Sequence, residues 1–246
     1  MNSSLYRRLL FGASAILFGV MALLWRDPET WQTLHHLWSL PAGLVIGCFL
    51  MTLQIAAGLA LPFPRTVRLA SIVLCVVYAC FSLAAVPGIV AAPSVYAQYG
   101  SFFEQFSLFC GVLALVAATS QDAARSKPLA TFARIGFALC ALSFALTQLF
   151  YLHETAVLVP RWLPPSQSFW AILTTIAFAL AALALLFHRY TNLALNLMTL
   201  MLALFAILVW LPRLLAHPNS HFTWSEFALT ALITASTSLL AGANSI

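Results

Sequence analysis

Charge is what this sequence has least of. Of its 246 residues only 7% are charged, while 63% are hydrophobic; an ordinary soluble domain carries roughly 25% charged residues. That shortage excludes a water-soluble globular chain. Each membrane crossing needs about 20 mostly apolar residues, so the length suffices for seven or eight crossings and leaves no space for a soluble catalytic, nucleotide-binding or DNA-binding domain. Catalytic signatures are missing too: there is no G-x-S-x-G, no phosphate loop, no H-E-x-x-H and no C-x-x-C. Cys48, Cys75, Cys80, Cys110 and Cys140 are scattered through apolar stretches and read as small packing residues, which argues against thiol-disulfide chemistry by the chain's own cysteines. No stretch has a histidine near its centre, as a buried bis-histidine haem would require. His217 and His221 have the spacing of a helical metal pair, but Pro218 and Asn219 between them make a turn, so no metal site is expected.

What is present is a set of eight apolar stretches, at about 9–25, 41–61, 67–86, 102–119, 129–152, 168–187, 192–211 and 222–243. Hydrocarbon offers no partner for a backbone N–H or C=O, so a spanning segment must be a helix or part of a closed barrel, and barrel strands alternate apolar with polar residues. These stretches do not alternate. The expectation is an all-α integral membrane protein with eight transmembrane helices. The first stretch follows Arg7 and Arg8 but has no small-residue cleavage site after it, so it reads as a span and not as a signal peptide.

Cationic residues near span ends stay on the cytoplasmic side. With the N-terminus inside, Arg7, Arg8, Arg65, Arg68, Arg125, Lys127, Arg134 and Arg189 are cytoplasmic, and only Arg26, Arg161 and Arg213 are outside. Of the acids, Asp122 alone is inside. The formal net charge of +5 is thereby a topology signal, not a nucleic-acid footprint, with contact to membrane lipids as its by-product. The expected location is the bacterial inner membrane with both termini cytoplasmic. Trp25, Trp31, Trp38, Trp162, Trp170, Trp210 and Trp224 all fall at outer ends. They form either an aromatic belt or, because a belt should populate both faces, the wall of a pocket opening outward.

The second half repeats the first at an offset of about 121 to 126 residues. Phe11, Ala15 and Phe18 correspond to Phe137, Ala141 and Phe144; Pro87 and Pro212 close the third and seventh helices; Phe102-Phe103-Glu104 lies opposite Trp224-Ser225-Glu226. Residues 1–122 and 123–246 are thus expected to be two four-helix units. With an even number of spans in each, they run parallel, related by an axis along the membrane normal. The linker, about residues 121–128, is polar, and Pro128 suits the first turn of the fifth helix.

In the second unit, Gln148-Leu149-Phe150-Tyr151-Leu152-His153-Glu154, then Leu158-Val159-Pro160-Arg161-Trp162-Leu163-Pro164-Pro165 and Phe169-Trp170, resembles the DoxX family. Its members are small four-helix membrane proteins with a polar, proline-closed outer loop. The resemblance is best over residues 132–187, and the first unit departs from it by having Asp27 near the position of His153. It implies a quinone-linked or redox-partner membrane subunit, with a bound quinone as the possible cofactor and a membrane or periplasmic protein as partner. Alternatives are a non-enzymatic assembly or scaffold factor and a small-solute transporter.

The expected ligand site gathers Arg26, Asp27, Glu104, Tyr151, His153, Glu154, Arg161, Trp162, Trp224 and Glu226 at the outer face. Ionisable groups at membrane depth usually face a bundle interior or a wet cavity. Glu104 and Glu226, read as lying just inside the starts of helices four and eight, are either such groups or carboxylates favoured by a helix N-terminus. His153-Glu154 has the residue types of a proton relay. Arg26 and Arg161 either clamp an anion or pair with Asp27, Glu29 or Glu154. Gln54 and Gln148 read as interhelical glue.

Overall fold

A computed structural model describes residues 3–25 and 41–243; the first outer loop, with the site candidates Arg26 and Asp27, lies outside the described residues. Among those residues the chain is all helical: α1 (Ser3–Leu24), α2 (Gly43–Ala60), α3 (Val67–Ala91), α4 (Tyr96–Ala118), α5 (Ala123–Phe150), α6 (Leu152–Leu158), α7 (Gln167–Leu186), α8 (Thr191–Phe205), a π-helical turn (Ala206–Trp210), α9 (Leu211–Ala216) and α10 (His221–Ala243). Eight segments are long and apolar enough to cross a membrane, the seventh being α8, the π turn and α9 taken together, Thr191–Ala216. Large apolar side chains such as Val45, Leu69, Leu83 and Leu180 stand exposed on the helix surfaces. Such surfaces suit contact with lipid, and with the eight long apolar segments they make the chain a multi-pass membrane protein.

Several helix ends differ from expectation for local chemical reasons. The Asp122 carboxylate accepts from the Ala124 N–H at 2.9 Å and caps α5 at Ala123. Pro128 therefore sits inside that helix and not in its first turn. Pro87 does not close α3, which runs on to Ala91. A proline forfeits one backbone bond, a loss that membrane helices tolerate when neighbours and local adjustments take up the freed groups. Pro212 does not close the seventh span either. Just before it the π turn shifts the ladder, the Leu211 N–H reaching back to the Ala206 carbonyl, and the helix continues to Ala216. The start of α4 falls at Tyr96, six residues ahead of the apolar stretch, because hydroxyls hold this polar turn. Tyr99 donates to the Pro93 carbonyl at 3.2 Å, and the Ala97 N–H donates to the Tyr151 hydroxyl at 3.3 Å.

Consecutive spans pack side by side round a ring that α10 closes against α1, and α4 packs against α10 across its middle. α10 also touches α5; the ring and the α4–α10 contact, without that minor one, map onto themselves when each span is replaced by the one four places later. Small residues permit the closest approaches. A Cβ on Gly12 would lie 2.5 Å from the Gly58 carbonyl oxygen, and one on Gly111 would lie 2.9 Å from the Ser236 Cα. Polar side chains tie the same seams. Gln54 Nε2 donates to the Ala15 carbonyl at 2.7 Å, Gln148 Oε1 accepts from Thr174 and Thr175 at 3.2 and 3.1 Å, and Ser236 Oγ donates to the Ser107 carbonyl at 2.7 Å. Both glutamines are thus interhelical ties.

Candidate functional site

The described site candidates fall into three groups by the elements that carry them. At the α4–α10 seam, Glu104 and Glu226 are partly buried and close enough for their charges to interact directly. The helix-terminus explanation does not hold, because α4 starts at Tyr96 and α10 at His221, which puts both carboxylates past the first turn, where the macrodipole has faded. Neither is in an ion pair, the one such pair among the described residues being Arg125 with Asp122 at 3.3 Å.

A second group belongs to the junction of α5 and α6. Tyr151 ends α5 and ties it to α4 through its hydroxyl. His153 and Glu154 are exposed on α6. Neither makes a side-chain hydrogen bond within the described residues, and Glu154 does not pair with Arg161.

The third place is a groove. The four-residue connection between α7 and α8 holds the sixth and seventh spans together at one end, with His188 and Tyr190 in the left-handed region (φ 53° and 55°) to make the reversal. Beyond that end the two spans touch sparsely, and an apolar cavity of about 300 Å³ opens between them. Leu173 and Ala177 line one wall, Leu200 and Leu204 the other, and Trp170 and Val159 stand at the top. There the cavity meets a second space of about 300 Å³ lined by Arg161, Trp162, Gln167 and Arg213. Val159, Pro160, Leu208 and Val209 line both spaces, so the apolar groove adjoins the polar space at its mouth.

Local chemistry fixes this mouth. Ser166 accepts from the Phe169 N–H at 3.2 Å and caps α7. One turn on, the Trp170 indole donates to the Pro164 carbonyl at 2.9 Å, and Gln167 Nε2 donates to the Val159 carbonyl. On the facing span the Arg213 guanidinium lies 5.5 Å from the centre of the Trp210 ring and donates to the Val157 carbonyl at 3.4 Å. The π turn puts Leu208 and Val209 at the junction of the two spaces; such turns are frequent at functional sites. The indole latch recurs at α10, where Trp224 donates to the Pro218 carbonyl at 2.9 Å and Ser220 accepts from the Thr223 N–H at 3.4 Å.

Sequence reasoning placed Arg161 and Trp162 in the site but left out Arg213 and the groove walls. The available signal was the pattern P-x-S-x-x-x-W, at 164–170 and again at 218–224, which marks capped helix starts with a fixed indole. For the tryptophans, the pocket-wall reading holds for Trp162 and Trp170, whereas Trp25 stacks on His221 at 5.0 Å. No group of three or more His, Cys, Asp or Glu residues among the described ones is placed to hold a metal ion. Comparisons with protein-family models, with curated proteins and with solved structures gave no match.

Proposed function

We propose that this chain is a bacterial inner-membrane protein that holds an amphiphile at its outer face, acting as a non-catalytic subunit of a quinone-linked or redox-partner assembly. The observation that carries this reading is an apolar groove within the membrane-spanning helices that shares four lining residues with a cationic space at their ends. That division suits a molecule with a long tail and a polar head. The tail of such a molecule lies along Leu173, Ala177, Leu200 and Leu204, and its head accepts from Arg161 and Arg213. The chain's own part is to bind, orient and shield; electrons come from a partner. The excess of Arg and Lys at the opposite helix ends supports an outward-facing mouth and cytoplasmic termini.

A tandem duplication suits the same frame. The neighbour pattern maps onto itself by halves, and an offset of 125 residues pairs Pro93 with Pro218, Tyr99 with Trp224 and Gly111 with Ser236. Each aromatic donates to its own proline carbonyl, and the last two residues meet at the α4–α10 seam. An assembly or scaffold role is favoured by one observation, the exposure of Trp162 (67%) beside Arg161 at the outer end, which offers a partner an aromatic and a cation to dock against.

Mass spectrometry of protein purified in mild detergent tests the main reading. A stoichiometric amphiphile, lost in Ala177→Phe, supports it; a groove empty of any amphiphile in the unaltered protein refutes it. A prenylquinone there would identify the redox assignment.

A further inference from the structure

We infer that the amphiphile taken by the outer groove has an acidic head: an acidic phospholipid whose chain lies between α7 and the seventh span and whose phosphate sits at Arg161 and Arg213. This rests on the groove being an amphiphile site but not on the occupant being a quinone.

Among the described residues the charge at the mouth is one-sided. Within them the Arg161 side chain makes no hydrogen bond or ion pair, and Arg213 spends one N–H on the Val157 carbonyl, although a guanidinium has five to give. The nearest acid in sequence, Glu154 on α6, leaves both unpaired. Arg213 is also partly buried and held over Trp210. Its cation is thus positioned and partly dehydrated in advance, as an anion site requires. A neutral head could accept hydrogen bonds here but would leave two like charges facing one opening. A phosphate neutralises them and matches the planar fork of each guanidinium.

The groove's length points to a lipid chain. On the seventh span its lining extends from Val209 at the mouth to Leu197, a rise of about 18 Å at roughly 1.5 Å per residue. Half of a hydrocarbon core of about 30 Å is about 15 Å, so the groove runs the depth of one leaflet from a head-group-level mouth. Apart from Thr174, whose hydroxyl is engaged with Gln148 Oε1, nothing along it asks for a polar partner.

The test uses the full chain in neutral detergent, with native mass spectrometry and thermal shift as readouts. The probes are phosphatidylglycerol, phosphatidylcholine of the same chains, a short-tailed ubiquinone and inorganic phosphate. Phosphatidylglycerol should be retained in preference to the other three. Arg161→Gln and Arg213→Gln should each weaken it by about fivefold, the equivalent of about 1 kcal/mol per basic residue, with no loss for phosphatidylcholine. Arg213→Lys should recover part of the loss, because the charge returns without the fork. Ala177→Phe should weaken both phospholipids alike.

Equal retention of the two phospholipids, a preference that survives in the double arginine variant, or a shift with inorganic phosphate that matches the lipid's would overturn the inference. Displacement of phosphatidylglycerol by ubiquinone would overturn it and leave the groove reading standing. Indifference of every probe to Ala177→Phe would remove the groove reading with it.

Discussion

Gly111→Ala is the smallest change expected to damage the architecture. Gly111 faces α10 where that helix crosses the middle of the ring, and the added methyl carbon would lie 2.9 Å from both Cα and Cβ of Ser236 and closer still to its hydroxyl. Backbone on one side cannot rotate away, so α4 and α10 must separate. Overpacking of this kind costs about 1–3 kcal/mol. The separation also breaks the bond from Ser236 Oγ to the Ser107 carbonyl, and an interhelical hydrogen bond in a membrane is worth about 0.6 kcal/mol on average and up to about 1.7. Together the loss is about 2–4 kcal/mol, a large share of the roughly 5–15 kcal/mol that keeps a typical protein folded. At about 2–4 °C per kcal/mol for a chain of this size, Tm in mild detergent should fall by roughly 5–15 °C. Ser236→Gly should cost its hydrogen bond and a few tenths of a kcal/mol of helix propensity, and in the Gly111→Ala background it should restore part of the loss, since the hydroxyl and its carbon are removed while the Cα stays 2.9 Å away. A Gly111→Ala protein as stable as the parent would refute this account of the seam, as would a double variant no better than the single one.

Three further outcomes follow from the same contacts. Gln148→Leu removes the acceptor shared by Thr174 and Thr175 and should lower stability by about 1–2 kcal/mol, read as a drop in Tm. Trp170→Phe and Trp224→Phe each delete an indole bond to a proline carbonyl; about 1 kcal/mol apiece is expected, with faster proteolysis at residues 160–168 in the first and 216–220 in the second. Because Glu104 and Glu226 are both partly buried and bear on one another, Glu104→Gln and Glu226→Gln should each raise Tm at alkaline pH by removing a buried charge, and the double variant should gain less than the two summed, since either change already relieves the repulsion; fully additive gains would show that the two do not interact.

The spans were legible because hydrocarbon imposes one rule on every residue of a crossing helix, and a run of apolar side chains reports it directly. Helix ends were less legible. Tyr96 to Ser101 looked like loop because the turn is polar, and only the pairings of Tyr96 with Ser143 and of Tyr99 with Pro93 show why it is helical. Pro87, Pro128 and Pro212 read as terminators because sequence shows the missing N–H but not the π turn or the neighbouring groups that absorb it. The site was half legible. Arg161 and Trp162 stand out as charge and indole in a proline-rich loop, yet Arg213 joins them only because the seventh span runs on past Pro212. The groove itself is made of leucines and an alanine, which no pattern separates from those facing ordinary lipid. Proximity misled as well: His153 and Glu154 are adjacent in the chain and both exposed, while Glu104 and Glu226, 122 positions apart, lie on neighbouring helices and bear on one another electrostatically.

The most direct test is a density map of the protein in nanodiscs containing phosphatidylglycerol. The account predicts an elongated chain running between Ala177 on α7 and Leu200 on α8, with its head at Arg161 and Arg213. A closed seam, with α7 packed on α8 along its whole length and both guanidiniums turned to bulk water, would contradict it.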